Sequence, residues 1–350
     1  MKQQTKVLWV MCVVALFCFS AFAVPAVTAA KELTVVAVMY GHANEGTWDP
    51  AAYQGLLKVQ KNIAFTLKVN EGTSTQDAEK IIRNWAAKGV DVIFAHSNIY
   101  TEQLLKVARR FDKVYFIGEQ MLDPRLHRDN PELAKYLPEK TPSNVLFVGD
   151  TPYEGNYLAG YTAAMMSKKN TLGVLQPFES PGLFRYTNSF LFGAQAAKPD
   201  IKVKVVYLGD YIAPAETRDA VKTLAEQGCD VVFSQMDDNS AILESAAQGI
   251  YCIPMYADKS AVNPKAVLTS VVMGWEVPLE GAIEAASKGT WAGYREKHYF
   301  RGLSVADNSI RLGKWGTEVP QSVKDAVEEV KSKIADGTIK VKIVDKKLIK

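Results

Sequence analysis

The most constraining feature of this sequence is a segment that occurs twice. WAAKGVDVIFAHSN, from Trp85 to Asn98, aligns with LAEQGCDVVFSQMD, from Leu224 to Asp237, at an offset of 139 residues. Gly89 matches Gly228, Asp91 matches Asp230, Val92 matches Val231 and Phe94 matches Phe233. The same offset sets Leu33 on Leu172, Leu67 on Val206, Ile81 on Ala220 and Glu119 on Asp258. A register kept over about 90 residues with few identities signals a repeated architecture rather than a repeated sequence.

The repeated unit alternates strands and helices. Leu33 to Met39, Asp91 to Ala95, Lys113 to Ile117 and Val145 to Val148 are apolar runs suited to parallel strands buried on both faces. Between them, Ala51 to Asn62 carries apolar residues at helical spacing. Thr75 to Lys88 places Ala78, Ile81, Ile82 and Trp85 on one face. The fold expected is α/β, with two similarly wound parallel-sheet lobes. In such sheets ligands collect beyond the carboxyl ends of the strands. The candidate positions are then Tyr40 to Trp48, His96 to Tyr100 (with Ser97 and Asn98) and Glu119 in the first half. In the second half they are Pro177 to Arg185, Asp210 to Ile212 (with Tyr211), Gln235 to Asn239 and Asp258.

The first thirty residues read as a secretory signal peptide. Lys2 and Lys6 precede an apolar run from Val7 to Phe22, and small residues end in Val27-Thr28-Ala29-Ala30. An uncleaved anchor is the alternative, since the run through Ala30 is long enough to span a bilayer. Around Cys18 the sequence is ALFC, and Phe17 does not fit a lipoprotein box, so a free periplasmic protein is expected. Cleavage removes two lysines and lowers the net charge from +3 to +1. A near-neutral chain argues against nucleic acid or anionic lipid as partner. Cys229 and Cys252 then remain, either bridged or as two small buried hydrophobes. The remaining ~320 residues exceed one ordinary core, and 48% hydrophobic with 23% charged residues describes a globular chain.

Catalytic signatures are missing. There is no G-x-S-x-G, H-E-x-x-H, C-x-x-C or phosphate-binding P-loop, and no G-x-G-x-x-G follows the first strand. The four histidines, His42, His96, His127 and His298, show no metal-ligand spacing. No enzyme, metal or cofactor is therefore expected. His96 at a strand end suits a structural hydrogen bond, a ligand contact or, least well, catalysis. Asp238 suits either a ligand contact or the cap of the helix after Asn239. Trp48 and Trp275 suit stacking against a flat ring or a packing wedge, whereas Trp85 belongs to a core-facing helix side. Pro152 opens a helix whose Tyr153 and Glu154 fall at the lobe junction, within reach of ligand or hinge.

These segments also carry a resemblance. VVAVMYGHANEGTWDPAAYQGL, DTPYEGNYLAGYTAA, FLFGAQAAKPDIKVKVVYLGDY and NPKAVLTSVVMGW resemble the basic membrane protein family of ABC-transporter substrate-binding proteins, in its purine-binding branch. The resemblance covers most of the mature chain. It implies a type I periplasmic-binding-protein fold with three crossovers at a hinge, and a purine base, nucleoside or related heterocycle delivered to an ABC permease by a monomer. It carries over Trp48, Tyr153, Glu154, Phe184, Asp238 and Trp275 as ligand-binding positions. Where the nucleoside-binding branch has Asp-x-x-Phe-Asn, this chain has Asn44-Glu45-Gly46-Thr47-Trp48. The lobes expected are 31–150 with about 274–303, and 151–273 with about 304–350. Gln120 to Asn144 looks like an insertion.

Overall fold

The computed structural model describes residues 32–121 and 141–349. The signal-peptide reading and most of the expected insertion lie outside the described residues. Two six-stranded sheets organise the chain. The first contains β1 (Leu33–Met39), β2 (Phe65–Asn70), β3 (Val92–His96), β4 (Tyr115–Gln120) and β5 (Val145–Gly149). The second contains β6 (Thr171–Gln176), β7 (Lys202–Tyr207), β8 (Val231–Ser234), β9 (Tyr251–Tyr256) and β10 (Val271–Met273). Each sheet is closed by a short late strand, β11 (Phe300–Arg301) beside β5 and β12 (Ile310–Leu312) beside β10. The orders are β2-β1-β3-β4-β5-β11 and β7-β6-β8-β9-β10-β12. All pairings are parallel except β10 with β12.

The helices are α1 (Trp48–Asn62), α2 (Thr75–Ala87) and α3 (Thr101–Ala108), then α4 (Tyr153–Met166), α5 (Pro181–Ala197), α6 (Pro214–Glu226) and α7 (Ser240–Ala247). After β10 come α8 (Glu276–Ser287) and α9 (Trp291–His298), and α10 (Gln321–Ala335) follows β12. Central strands are buried on both faces, as in β3, where Val92 to His96 are all buried. The edge strands β2 and β7 are half-exposed and carry Lys68, Lys202 and Lys204. Charged edges discourage pairing with a foreign strand. Helices α4 and α5 cross closely. A Cβ on Gly160 would lie 1.9 Å from the Phe190 carbonyl oxygen, and one on Gly193 the same distance from that of Tyr157.

The duplicated segment has a structural explanation. Gly89 and Gly228 follow α2 and α6 in the left-handed region, at φ 73° and 89°, where glycine carries no Cβ penalty. Asp91 accepts a bond from the Thr34 amide at 2.8 Å, at the entrance to β1. Asp230 holds the Ser167 hydroxyl and the Lys168 and Lys169 amides, just before β6. The repeated Gly-x-Asp thus joins the amino ends of neighbouring strands, on the side away from their carboxyl ends.

The offset of 139 is not uniform. Val92 pairs with Val35, but Val231 pairs with Leu172, so the first strands are related by 137 residues. Through the same ladders Leu67 corresponds to Val203 rather than Val206, and Glu119 to Met255 rather than Asp258. Turns of unequal length slide the strands, while the α2–β3 and α6–β8 joints keep the spacing. Glu119 also lies inside β4, not beyond it. Cys229 and Cys252 are free and buried. Cys252 stands opposite Val232, three residues along from Cys229, too far along the strand for a bridge.

The chain passes between the sheets three times: from β5 to α4, from β10 to α8 and from β11 to β12. The crossovers are sewn together. The Leu303 amide donates to Thr151 Oγ1 at 2.7 Å, and the Gly274 amide to the Ser309 carbonyl at 2.7 Å. Glu154 Oε2 accepts from the Val305 amide at 2.6 Å and the Ser304 hydroxyl at 3.1 Å. Glu154 therefore spends that oxygen on a crossover.

Candidate functional site

The carboxyl ends of the two sheets meet around an aromatic cluster. His96, the last residue of β3, stacks on Trp48 at the start of α1, with centroids 4.7 Å apart and planes 15° off parallel. Trp275, the N-cap residue of α8, stands edge-on to both, 5.3 Å from Trp48 and 5.1 Å from His96. Tyr256 at the end of β9 is edge-on to Trp48 at 5.1 Å. Trp275 reaches this depth because α1 carries Gly55 beneath it; a Cβ there would sit 3.0 Å from the Trp275 Cβ. Trp48 and Trp275 are thus brought together, but against each other and not as two separated plates. Tyr256 adopts φ 78°, a conformation rarely tolerated by a bulky side chain outside functional or strained sites.

His96 is fully buried. Its Nδ1 lies 2.8 Å from Asp49 Oδ1, and Asp49 Oδ2 accepts the Gly41 amide at 2.7 Å. A neutral imidazole that donates Nδ1–H to this carboxylate leaves Nε2 as an acceptor. It has no partner among the described residues. The same holds for Glu119 Oε2, Asp150 Oδ1, Gln176 Nε2, Gln235 Oε1 and Trp275 Nε1. All six residues lie at or within three positions of the carboxyl end of β3, β4, β5, β6, β8 or β10. Buried polar atoms without a partner are uncommon and costly, about 1–3 kcal/mol each. Six of the twelve such atoms among the described residues lie where the two sheets face each other, which makes this junction the candidate site for polar ligand atoms.

Electrostatics point to the same place. Glu119 and Asp150 end adjacent strands, with Gln120 paired to Gly149. Burial first, then the Asp150 and Asp49 charges, hold the Glu119 carboxyl well above the carboxylate range. Burial pushes Asp150 up to about 7. Burial also raises Tyr153 to about 12, against the opposing pull of Arg185. The Tyr153 hydroxyl donates to the Met121 carbonyl at 3.1 Å and faces Arg185 Nη1 at 3.4 Å. Arg185 is buried and its Nε donates to Asp345 of the C-terminal segment.

The expected site residues divide. Trp48, Trp275, Glu119 and Tyr153 surround the junction of the sheets. Asp238 does two things: Oδ1 accepts the Ser240 amide at 2.6 Å, and Oδ2 is buried without a partner among the described residues. Asn239 is the N-cap residue of α7 but makes no side-chain cap bond. Phe184 is half-buried in the first turn of α5. Tyr211 is 40% exposed and edge-on to Phe178 at the rim. Ser97 and Asn98 lead into a short 3₁₀ turn, where the Asn98 carbonyl accepts the Thr101 hydroxyl at 2.8 Å. Asp258 is exposed and its carboxylate accepts the Ser260 and Lys314 amides at 3.0 and 3.3 Å, which makes it a turn-forming residue. His96, Asp150, Gln176 and Asp237 are the important additions. Strand-end position flagged His96 and Asp237, while nothing local marked Gln176 or Asp150.

Among the described residues no helix is long and apolar enough to cross a membrane, and no group of three or more His, Cys, Asp or Glu is placed to hold a metal ion.

The chain is similar to known proteins in sequence and in fold. The chain is 30% identical over 275 residues to a purine-binding protein of Brucella abortus, covering 79% of this chain and 71% of that one. It is 25% identical over 271 residues to a putative ABC-transporter glucose-binding protein of Haloferax volcanii, covering 77% and 64%. Among solved structures, an ABC-transporter solute-binding protein of Conexibacter woesei superposes with a TM-score of 0.73 at 20% identity, over 90% of this chain and all of that one. That likeness supports the two-lobed periplasmic-binding fold. Residues 33–345 match the family described as "ABC transporter substrate-binding protein PnrA-like", and the chain belongs to this Bmp family of ABC-transporter substrate-binding proteins.

Proposed function

We propose that this protein is the extracytoplasmic, soluble binding component of an ABC importer and that it captures a purine base, nucleoside or related heterocycle by closure of its lobes. The observation that carries the reading is the set of buried, unpartnered polar atoms at the strand ends beside an aromatic cluster. The set mixes donors and acceptors. Gln176 Nε2 and Trp275 Nε1 donate, whereas His96 Nε2 and Gln235 Oε1 accept. A flat ring with both kinds of edge group answers this pattern, and the kinship with a purine-binding protein supports it. No bond is made or broken: the liganded, closed monomer docks on a membrane permease and releases its cargo.

A sugar is the second reading. It is favoured by the kinship with a putative glucose-binding protein, and sugars also use aromatic faces and polar edges. Calorimetry with purine bases, nucleosides and aldohexoses separates the two. The expected outcome is at least one purine compound binding below about 100 µM and no hexose doing so. Failure of every purine compound sinks the heterocycle reading. Trp48→Ala is expected to weaken the bound purine by about 1–3 kcal/mol, the range for loss of a stacking face. Unchanged affinity in that variant would remove Trp48 from the site.

A further inference from the structure

Asp237 holds an unusual position. It follows β8 in the second lobe, yet its carboxylate caps a helix of the first. Oδ1 accepts the Thr47 amide and the Thr47 hydroxyl, and also the Trp48 amide at 2.8 Å. Thr47, the N-cap residue of α1, makes no side-chain cap bond of its own. Two of the amides at the α1 terminus, those of Thr47 and Trp48, are therefore satisfied from across the cleft. Lys259, also in the second lobe, donates to the Gly46 carbonyl at 3.3 Å. Gly46 lies at φ 78°, and a Cβ there would come within 2.8 Å of the Asp237 carboxylate. The loop that receives these bonds is braced on its own lobe. Asp49 holds the Gly41 amide and Glu71 holds the Ala43 amide, both at 2.7 Å.

We propose that Asp237 is a positioning residue that latches the closed cleft by capping α1 in trans, and that it sets how long ligand is retained. The proposal rests on capture by lobe closure but not on the identity of the ligand. The latch needs no ligand atom, so it draws the lobes together in the empty protein. It also fixes the backbone of Trp48, and with it the ring that stacks on His96. Adjacent carboxylates thereby differ in role: Asp237 joins the lobes, and Asp238 keeps a free oxygen at the site.

The test uses the full-length mature protein with spin labels at Lys80→Cys and Arg218→Cys, one exposed site on each lobe. Cys229 and Cys252 are buried. Interlobe distances are measured without ligand, by pulsed electron resonance. The ligand-free wild type is expected to show a short-distance, closed population. Asp237→Ala should deplete it. Gly46→Ala should deplete it too, through backbone strain and crowding, with the Asp237 side chain intact. In a second arm, adenine, guanine, adenosine and guanosine are used as probes in stopped-flow release. Asp237→Ala should release a bound probe about tenfold faster, with association little changed. Unchanged distances in both variants, with melting temperatures like the wild type, overturn the latch, as does a wild type found only open. If none of the probes binds but the distances respond, the latch stands and the purine reading falls.

Discussion

Replacing Trp275 with alanine is expected to destabilise the protein by about 3–5 kcal/mol, the range for deleting a large buried aromatic side chain. Trp275 is fully buried at the point where the chain re-enters the first lobe, in contact with Trp48, His96 and Phe94. Much of the cavity would persist, because Gly55 leaves nothing beneath it to collapse inward. Trp275→Phe separates packing from recognition. Phenylalanine keeps an aromatic ring there but lacks the N–H, which has no partner among the described residues. The phenylalanine variant should therefore lose far less stability than the alanine one. It should still bind a purine more weakly, by about 0.5–1.5 kcal/mol if that N–H serves the ligand. Denaturant melts and calorimetry on the two variants give both numbers. Wild-type affinity in Trp275→Phe would show that Trp275 is only a wedge.

The second large effect is on pH. Asp150, pushed up to about 7, and Glu119, held well above the carboxylate range, bind protons more tightly folded than unfolded. Where the folded state holds extra protons, stability falls as pH rises. Their stabilising contribution is full below about pH 4, the unfolded carboxylate value, and is lost as pH climbs through the raised folded values, about 7 for Asp150. The slope per proton is about 1.4 kcal/mol for each pH unit, so a loss of several kcal/mol is expected between about pH 4 and 7. Urea melts across that range measure it. Glu119→Gln, neutral at every pH, should flatten the profile and raise stability at the alkaline end. A flat wild-type profile would mean that the two carboxyls are not held neutral. A ligand that donates N–H groups to this pair favours the ionised form. Its binding should then release protons at mildly acid pH, seen as a dependence of the binding heat on buffer ionisation.

Much of the architecture was legible because parallel strands buried on both faces appear as continuous apolar runs, as in Leu33 to Met39. The duplication was legible for a different reason. Gly-x-Asp solves a local problem, ending a helix and entering a strand, and each half solves it the same way. The register was not, since turn lengths drift and Leu67 ends up matched to Val203. In the site, strand-end position pointed to Trp48 and Glu119, and an aromatic residue opening the helix after an apolar run pointed to Trp275; the structure sets all three near the junction of the sheets. Position could not divide Asp237 from Asp238, because the partner of Asp237 is 190 residues away on the other lobe. Nor could it show that Glu154 serves a crossover and Asp258 a turn, since identical carboxylates near strand ends look alike until their amide partners are placed.

The late closing strands carry a consequence for biosynthesis. The first sheet is finished only by Phe300–Arg301, which pairs with β5 after the second sheet has been almost entirely made. The second sheet in turn awaits Ile310–Leu312. No stretch of chain that stops short of these strands contains a complete lobe. Distant pairing of this kind slows folding. For a chain that has to cross a membrane before it folds, such a delay is useful. Both closing strands lie within the last 51 of the 350 residues, so strand order alone postpones the completion of either lobe until almost the whole chain has been made.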